Sequence, residues 1–272
     1  MKNTIAASLA VGFSASLFSS EGPVNYKSKK IKLRFALASD GHYAQPGTNY
    51  VKEHNNIIKW LNKEFNVHPL DFVIFNGDIV HDQPGLLQEV KSKYFDKLKC
   101  PYYATMGNHD LADAKIWTSV FGHDYNYSFE KNNTGFILAN TSNTKGEYLC
   151  PDINFLQTAL EKLKANKIVF IVLHIPPHQW LPENTFYAEC PDVINLFTKY
   201  PNVKAVFHGH DHARDGVFYS GNELPHFFDA HYGGNWGTEY RGYRIVEVCD
   251  DYSIKTFQVN ASLSPVISSQ SI

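Results

Sequence analysis

The chain has 272 residues, 43% of them hydrophobic and 19% charged, a balance that buries a sizeable core and excludes a disordered segment. Lys+Arg at 25 against Asp+Glu at 27 leave a net charge of −2 with no basic stripe, which argues against capture of nucleic acid or of an anionic membrane surface. Histidine is abundant at 13, and His42, His109, His174, His208, His210 and His212 fall in or beside short polar motifs, as a His-rich metal centre requires.

Taken in chain order, Lys2 is followed by an apolar stretch over residues 5–18, too short to span a bilayer comfortably and of the length of a signal-peptide core. We therefore expect a signal peptide over residues 1–20, a leader over 21–30, a catalytic domain over 31–262 and a tail over 263–272. A secreted or periplasmic location follows, with an uncleaved tail or anchor and a cytoplasmic location as the alternatives. No later stretch is long enough to cross a membrane.

From residue 30 onward, strand-like and helix-like segments alternate. Five apolar runs end directly in polar motifs. Phe35-Ala36-Leu37-Ala38 leads into Asp40-Gly41-His42, Phe72-Val73-Ile74-Phe75 into Gly77-Asp78, and residues 101–106 into Gly107-Asn108-His109-Asp110. Residues 168–173 lead into His174, and 203–207 into Gly209-His210-Asp211-His212. In an open α/β sheet, ligands sit beyond the carboxyl ends of the strands, so these five junctions are expected to converge on one cleft. Between them, apolar residues recur at helical spacing: Val51, Ile57, Ile58, Leu61 and Phe65; Leu86, Leu87, Val90, Tyr94 and Leu98; Phe155, Leu156, Leu160 and Leu163; Val193, Ile194 and Phe197. Asp152 is the expected N-cap of the third of these helices. Residues 125–140 and 243–259 read as hairpins, and they suggest a second, largely antiparallel sheet packed on the first. The four cysteines allow up to two disulfides, and Cys150 with Cys190, each followed by a proline, is the first pair to examine.

The motif residues suit two hard divalent ions, which take carboxylate, amide and imidazole ligands and need a bridging carboxylate to offset their mutual repulsion. Asp78 is the natural bridge. Asn108 offers an amide oxygen, and His109 beside it is free to protonate a leaving group, with Asp110 placed to orient it. His208 lies outside the pattern and reads as structural. Two aromatic-rich loops, carrying His178, Trp180, Phe186 and Tyr187, and His231, Tyr232, Trp236 and Tyr240, could stack a flat substrate group.

With these motifs in order, the chain resembles the calcineurin-like metallophosphoesterases, whose pattern Asp-x-His, Gly-Asp, Gly-Asn-His-Asp/Glu, His, Gly-His-x-His is matched from Asp40 to His212. The resemblance implies an α/β fold, a four-layer α/β/β/α sandwich of two mixed β-sheets, with the metal site at the carboxyl ends of the strands. It implies a dinuclear centre of Mn, Fe or Zn: Asp40, His42, Asp78 and His212 around one ion, Asp78, Asn108, His174 and His210 around the other. A metal-activated water attacks phosphorus in a small phosphate ester while His109 assists the leaving oxygen. Purple acid phosphatases carry a tyrosine three residues after the bridging aspartate; here that residue is His81, which points to the phosphodiesterase and general phosphohydrolase branches. No evident arginine clamp for a terminal phosphate stands near the motifs, Arg214 excepted, so a diester is expected to be cleaved at least as well as a monoester. The rival readings are a catalytically silent, metal-stabilised binding scaffold of the same fold and a metal-dependent hydrolase of another bond.

Overall fold

A computed structural model describes residues 29–229, 231–262 and 266–272. The expected signal peptide and most of the leader lie outside the described residues. In chain order the elements are β1 (Ile31–Ala38), α1 (Tyr50–Val67), β2 (Phe72–Asn76), α2 (Leu87–Lys93), β3 (Tyr102–Thr105), α3 (Ala114–Phe121), β4 (Tyr127–Lys131), β5 (Thr134–Ala139) and α4 (Ile153–Lys162). They continue with β6 (Ile168–Leu173), α5 (Pro191–Phe197), β7 (Val203–His208), β8 (Val217–Ser220), β9 (Leu224–Phe228), β10 (Gly242–Cys249), β11 (Ile254–Asn260) and β12 (Val266–Ser271). No helix among the described residues is long and apolar enough to cross a membrane.

Two six-stranded sheets form, in the orders β12-β11-β10-β1-β2-β3 and β4-β5-β6-β7-β9-β8. Both are mixed: β1, β2 and β3 run parallel, as do β5, β6, β7 and β9, while the flanking strands are antiparallel. This corrects the residue-level expectation of a separate antiparallel sheet. The two hairpins join different sheets, β4-β5 at one edge of the second and β10-β11 beside β1 in the first. The residues expected to be a C-terminal tail also contain a strand, β12, which pairs with β11. An edge strand is held by backbone bonds, so its side chains need carry little pattern.

Side-chain alternation generates the layers. In β1, Leu33, Phe35 and Leu37 face the second sheet, whereas Ala36 and Ala38 face α1 with its Ile57, Ile58 and Leu61. In β6, Phe170 and Val172 point between the sheets, and Val169, Ile171 and Leu173 pack on α4 and α5. The result is helix, sheet, sheet, helix. Phe35 sits at the centre of the inter-sheet layer, with ring centroids 5.2 Å from Phe72, 5.1 Å from Phe136 and 5.5 Å from Phe170.

Local signals set the helix ends. Asp152 caps α4, its side chain accepting from the backbone of Asn154 and Phe155, as expected. The helix expected over residues 86–98 is instead the short α2 between two 3-10 turns, because Tyr94 leaves the helical region at φ −127° to pack against Tyr43 and His54. Cys150 and Cys190 form a disulfide that ties the loop before α4 to the start of α5, and Cys100 and Cys249 are free thiols.

Candidate metal centre

The strand ends bring all seven expected ligand residues to one place. Asp40 and His42 follow β1, Asp78 follows β2, Asn108 follows β3, His174 follows β6, and His210 and His212 follow β7. The first three strands belong to one sheet and the last two to the other, so the cluster closes the sandwich at the carboxyl ends of its parallel strands. All seven are buried.

The backbone turns abruptly to do this. Asp40, His42, Asp78 and His210 all have positive φ, between 44° and 67°, a left-handed conformation that side chains other than glycine adopt at a cost of about 1 kcal/mol or more each. Ladder bonds between the loops after β1 and β2 hold the turns: His42 N donates to Asp78 O, Tyr43 N to Ile79 O and His81 N to Tyr43 O. Glycines give room. A Cβ on Gly77 would enter the ring of His174, and one on Gly107 would strike the carboxylate of Asp78.

Two fully buried triads of ligand atoms result, each with its atoms within 4.8 Å of one another, Asp40, His42 and His212, and Asp78, His174 and His210; a third group at the same spacing, His42, His81 and His109, is only partly buried. Asp78 Oδ2 lies 3.3 Å from His174 Nε2 and 3.6 Å from His42 Nε2, and so stands between the triads. Burial alone would raise the Asp78 carboxyl, but the imidazoles of His174 and His42 outweigh it and hold it well below the usual carboxylate range. For His174 burial favours the neutral ring, yet Asp78 and Asp40 carry its pKa up to about 9, whereas His210, with burial dominant, drops to about 3.

The donor set fits metal ions. Asn108 Oδ1 and His210 Nε2 are buried without a hydrogen-bond partner, a costly arrangement unless a cation completes it. His174 Nδ1 donates to the Asn76 carbonyl at 2.7 Å, which leaves the Nε2 lone pair for the cluster. His42 Nε2 and His212 Nε2 face each other at 3.1 Å, close to Asp40 Oδ1, and carboxylate and imidazole together suit Mn, Fe or Zn.

His109 lies beside this set, part-exposed, its backbone N donating to Asp78 Oδ1 and its ring centroid 5.0 Å from that of His42. The expected orienting role of Asp110 is not what forms. Asp110 is buried and accepts from the backbone of Ile79, Val80 and Gly107, bracing the Asp78 turn. Asp82 holds His109 instead, with Nδ1 to Oδ1 at 2.8 Å. Burial opposes the charged ring, but Asp78 and the Asp82 hydrogen bond raise the pKa of His109 overall. Asp82 lies four residues beyond Asp78 in the same loop, a spacing that could have flagged it.

Aromatic rings border the cluster on both sides. Trp236 stacks on His212 at 4.3 Å with its ring 5° from parallel, and Tyr148 and Phe186 meet His210 edge-on at 4.7 and 5.6 Å. Phe186 and Trp236 come from the two loops singled out in the sequence; Tyr148 carried no such signal. Arg241 supports the Trp236 loop by donating to the carbonyls of Gly234 and Thr238. The remaining named aromatics play other parts: Trp180 packs on Phe218, Tyr232 is buried against His54, and Tyr240 bonds Asp215. His208 pairs with His226 at 2.9 Å behind the site, a structural role as expected. Arg214 is ion-paired with Asp211 and Glu183.

Known proteins resemble this chain in sequence or in fold. A probable cyclic nucleotide phosphodiesterase from Ruthia magnifica subsp. Calyptogena magnifica is 27% identical over 168 residues, covering 60% of this chain and 70% of its own length. A dimetal phosphatase from Danio rerio superposes with a TM-score of 0.70 at 13% identity, over 89% of this chain and 99% of that one. The purple acid phosphatase PPD1 from yellow lupin superposes at 0.62 with 15% identity, over 88% of this chain and 53% of that one. At these identities the structural likenesses establish the fold. Residues 33–214 match the calcineurin-like phosphoesterase family, which spans every motif from Asp40 to His212, and the chain is therefore a phosphoesterase belonging to that family.

Proposed function

We propose that the protein hydrolyses phosphoric diesters at a dinuclear centre, with Asp40, His42, Asp78 and His212 holding one ion and Asp78, Asn108, His174 and His210 the other. The carrying observation is the Asp78 carboxylate, which stands between two buried triads of ligand atoms. Bound divalent ions, Mn, Fe or Zn, supply Lewis acidity and an activated water. The protein's own groups do the rest. Asp82 holds the His109 ring with its proton on Nδ1 accounted for, leaving Nε2 to give a proton to the departing ester oxygen. A silent scaffold would have no use for that pair.

Three features support a diester. Arg214 is occupied by two carboxylates and does not offer the free guanidinium that a dianionic terminal phosphate favours. Aromatic surfaces on both sides of the cluster suit a substrate with an organic group on each side of phosphorus. The relative from Ruthia magnifica carries the name of a phosphodiesterase. The apolar residues 5–18 and the Cys150–Cys190 disulfide support work outside the cytoplasm.

Assays of purified protein with Mn, Zn or Fe should show kcat/KM for bis(p-nitrophenyl) phosphate at least comparable to that for p-nitrophenyl phosphate. Asp78→Asn should lose metal and activity together, activity by roughly 10³-fold or more, as the loss of several kcal/mol of charge stabilisation implies. Asp113→Asn, which preserves the cap of α3, should lose neither. A large monoester preference abolished by Arg214→Ala would overturn the diester reading, and two ions retained with full activity in Asp78→Asn would overturn the bridging role of Asp78.

A further inference from the structure

The ligand histidines are not held alike. His174 Nδ1 donates to the carbonyl of Asn76 at 2.7 Å, and His212 Nδ1 faces the carbonyl of Trp236 at 3.3 Å. A carbonyl oxygen only accepts, so each ring keeps a proton on Nδ1 and turns its Nε2 to the cluster. His42 also presents Nε2, but its Nδ1 lies 3.0 Å from a side chain, Nδ1 of His81. His81, three residues after Asp78, is none of the seven expected ligands.

Resting on the dinuclear reading, we propose that His81 is a positioning residue for the ion bound by Asp40, His42 and His212. Its Nδ1 accepts the proton of His42 Nδ1, which fixes the His42 tautomer and ring plane so that Nε2 carries a lone pair toward the site. The tautomers close consistently. With Nδ1 accepting, His81 keeps its own proton on Nε2, 3.9 Å from Asp82 Oδ2, the carboxylate that also takes the proton of His109 Nδ1. The His81 main chain is fixed by its N donating to Tyr43 O at 2.9 Å, and its ring stacks on His109 at 4.7 Å, 14° from parallel. A run of contacts His42–His81–Asp82–His109 thus joins a ligand of one ion to the proposed proton donor.

The consequence is asymmetry between the two ions. Of the other ion's two histidines, His174 is oriented by main chain that no side-chain substitution removes, whereas His42 depends on a part-exposed ring. Removing such an outer partner lowers metal affinity by roughly 10- to 100-fold.

Mn²⁺ titration calorimetry, with metal content after dialysis, on the parent protein, His81→Ala and His81→Gln tests this. In His81→Ala one ion should weaken by roughly 10- to 100-fold while the other binds as before, which also reports an intact fold. His81→Gln, whose amide oxygen can accept from His42 Nδ1, should restore most of the loss. Unchanged affinity for both ions in His81→Ala would overturn the proposal. So would a parent that binds three ions and loses one in both variants, since His42, His81 and His109 also have ring nitrogens close enough to share a metal and His81 would then be a ligand. If the parent binds a single ion, the dinuclear reading fails separately, and His81 stands or falls by whether that ion weakens with Ala and recovers with Gln.

Discussion

The two sheets contribute unlike chemistry to one site. The first, through β1, β2 and β3, delivers both carboxylates, the amide of Asn108 and the imidazoles of His42 and His109; the second, through β6 and β7, delivers imidazoles alone. They meet across the cleft, Asp40 Oδ1 with His212 Nε2 at 3.1 Å and Asp78 Oδ2 with His174 Nε2 at 3.3 Å. In the proposed dinuclear centre, charge neutralisation would therefore come from one sheet, and much of the coordination geometry from the other. Substitutions on the two sides should fail in different ways.

The largest effect on chemistry alone belongs to the first sheet. If His109 donates a proton and does not ligate, as proposed, His109→Ala should keep both ions and lose roughly 10²–10⁴-fold in kcat. The loss should shrink for nitrophenyl esters, whose leaving groups need little protonation, and grow for alkyl esters. Equal losses on both would remove His109 from the acid role.

The second sheet gives the sharper contrast. His210→Ala deletes a neutral donor and should weaken metal binding by about 10²-fold or more, since even an outer partner is worth 10- to 100-fold. Because no charge is lost, raising Mn²⁺ should restore a large part of the activity. Asp78→Asn removes charge between both triads, and excess metal should not restore it. Activity recovered to the same degree in both variants would erase the distinction between the sheets.

Much of the site was legible because strand ends carry it. Continuous apolar runs mark strands buried on both faces, and the polar residues directly after them had one place to go. What was not legible is what depends on distant pairing. A hairpin's pattern says nothing of the strand on its far side, so β4-β5 and β10-β11 were grouped together when they lie in different sheets. The proximity of Asp82 to His109 arises from a turn with φ 57° at Asp82, and that of Tyr148 to His210 from a loop that folds back through its bridge to Ser142. α3 could have been found: Asp113 caps it, Gly122 ends it in the left-handed region, and Ile116, Trp117, Val120 and Phe121 follow a helical period.

The smallest predicted effect concerns stability, and it extends the comparison into the interior. The first sheet buries charge in an ion-paired cluster, Arg34 of β1 with Glu64 of α1 and Glu247 of β10. The second sheet buries two imidazoles against each other, His208 Nε2 to His226 Nδ1 at 2.9 Å, continued to the Leu173 carbonyl and the Ser220 hydroxyl. Burial depresses the pKa of His208 to about 3 and that of His226 well below its ordinary value. A histidine depressed in the folded state leaves the unfolded chain to take up the proton first, so its contribution is present above about pH 6.5 and is lost as pH falls toward 3. At pH 5 that loss is about 2 kcal/mol for one such residue. Urea unfolding in chelator, which removes any effect of metal release, should show the parent losing about 2 kcal/mol more than His208→Gln between pH 7 and pH 5. Should His208→Gln prove too unstable to melt, His226→Gln serves the same comparison. Parallel pH dependence in parent and variant would mean that the imidazole pair is hydrated or charged in the folded protein, and that the second sheet's interior is less dry than its geometry indicates.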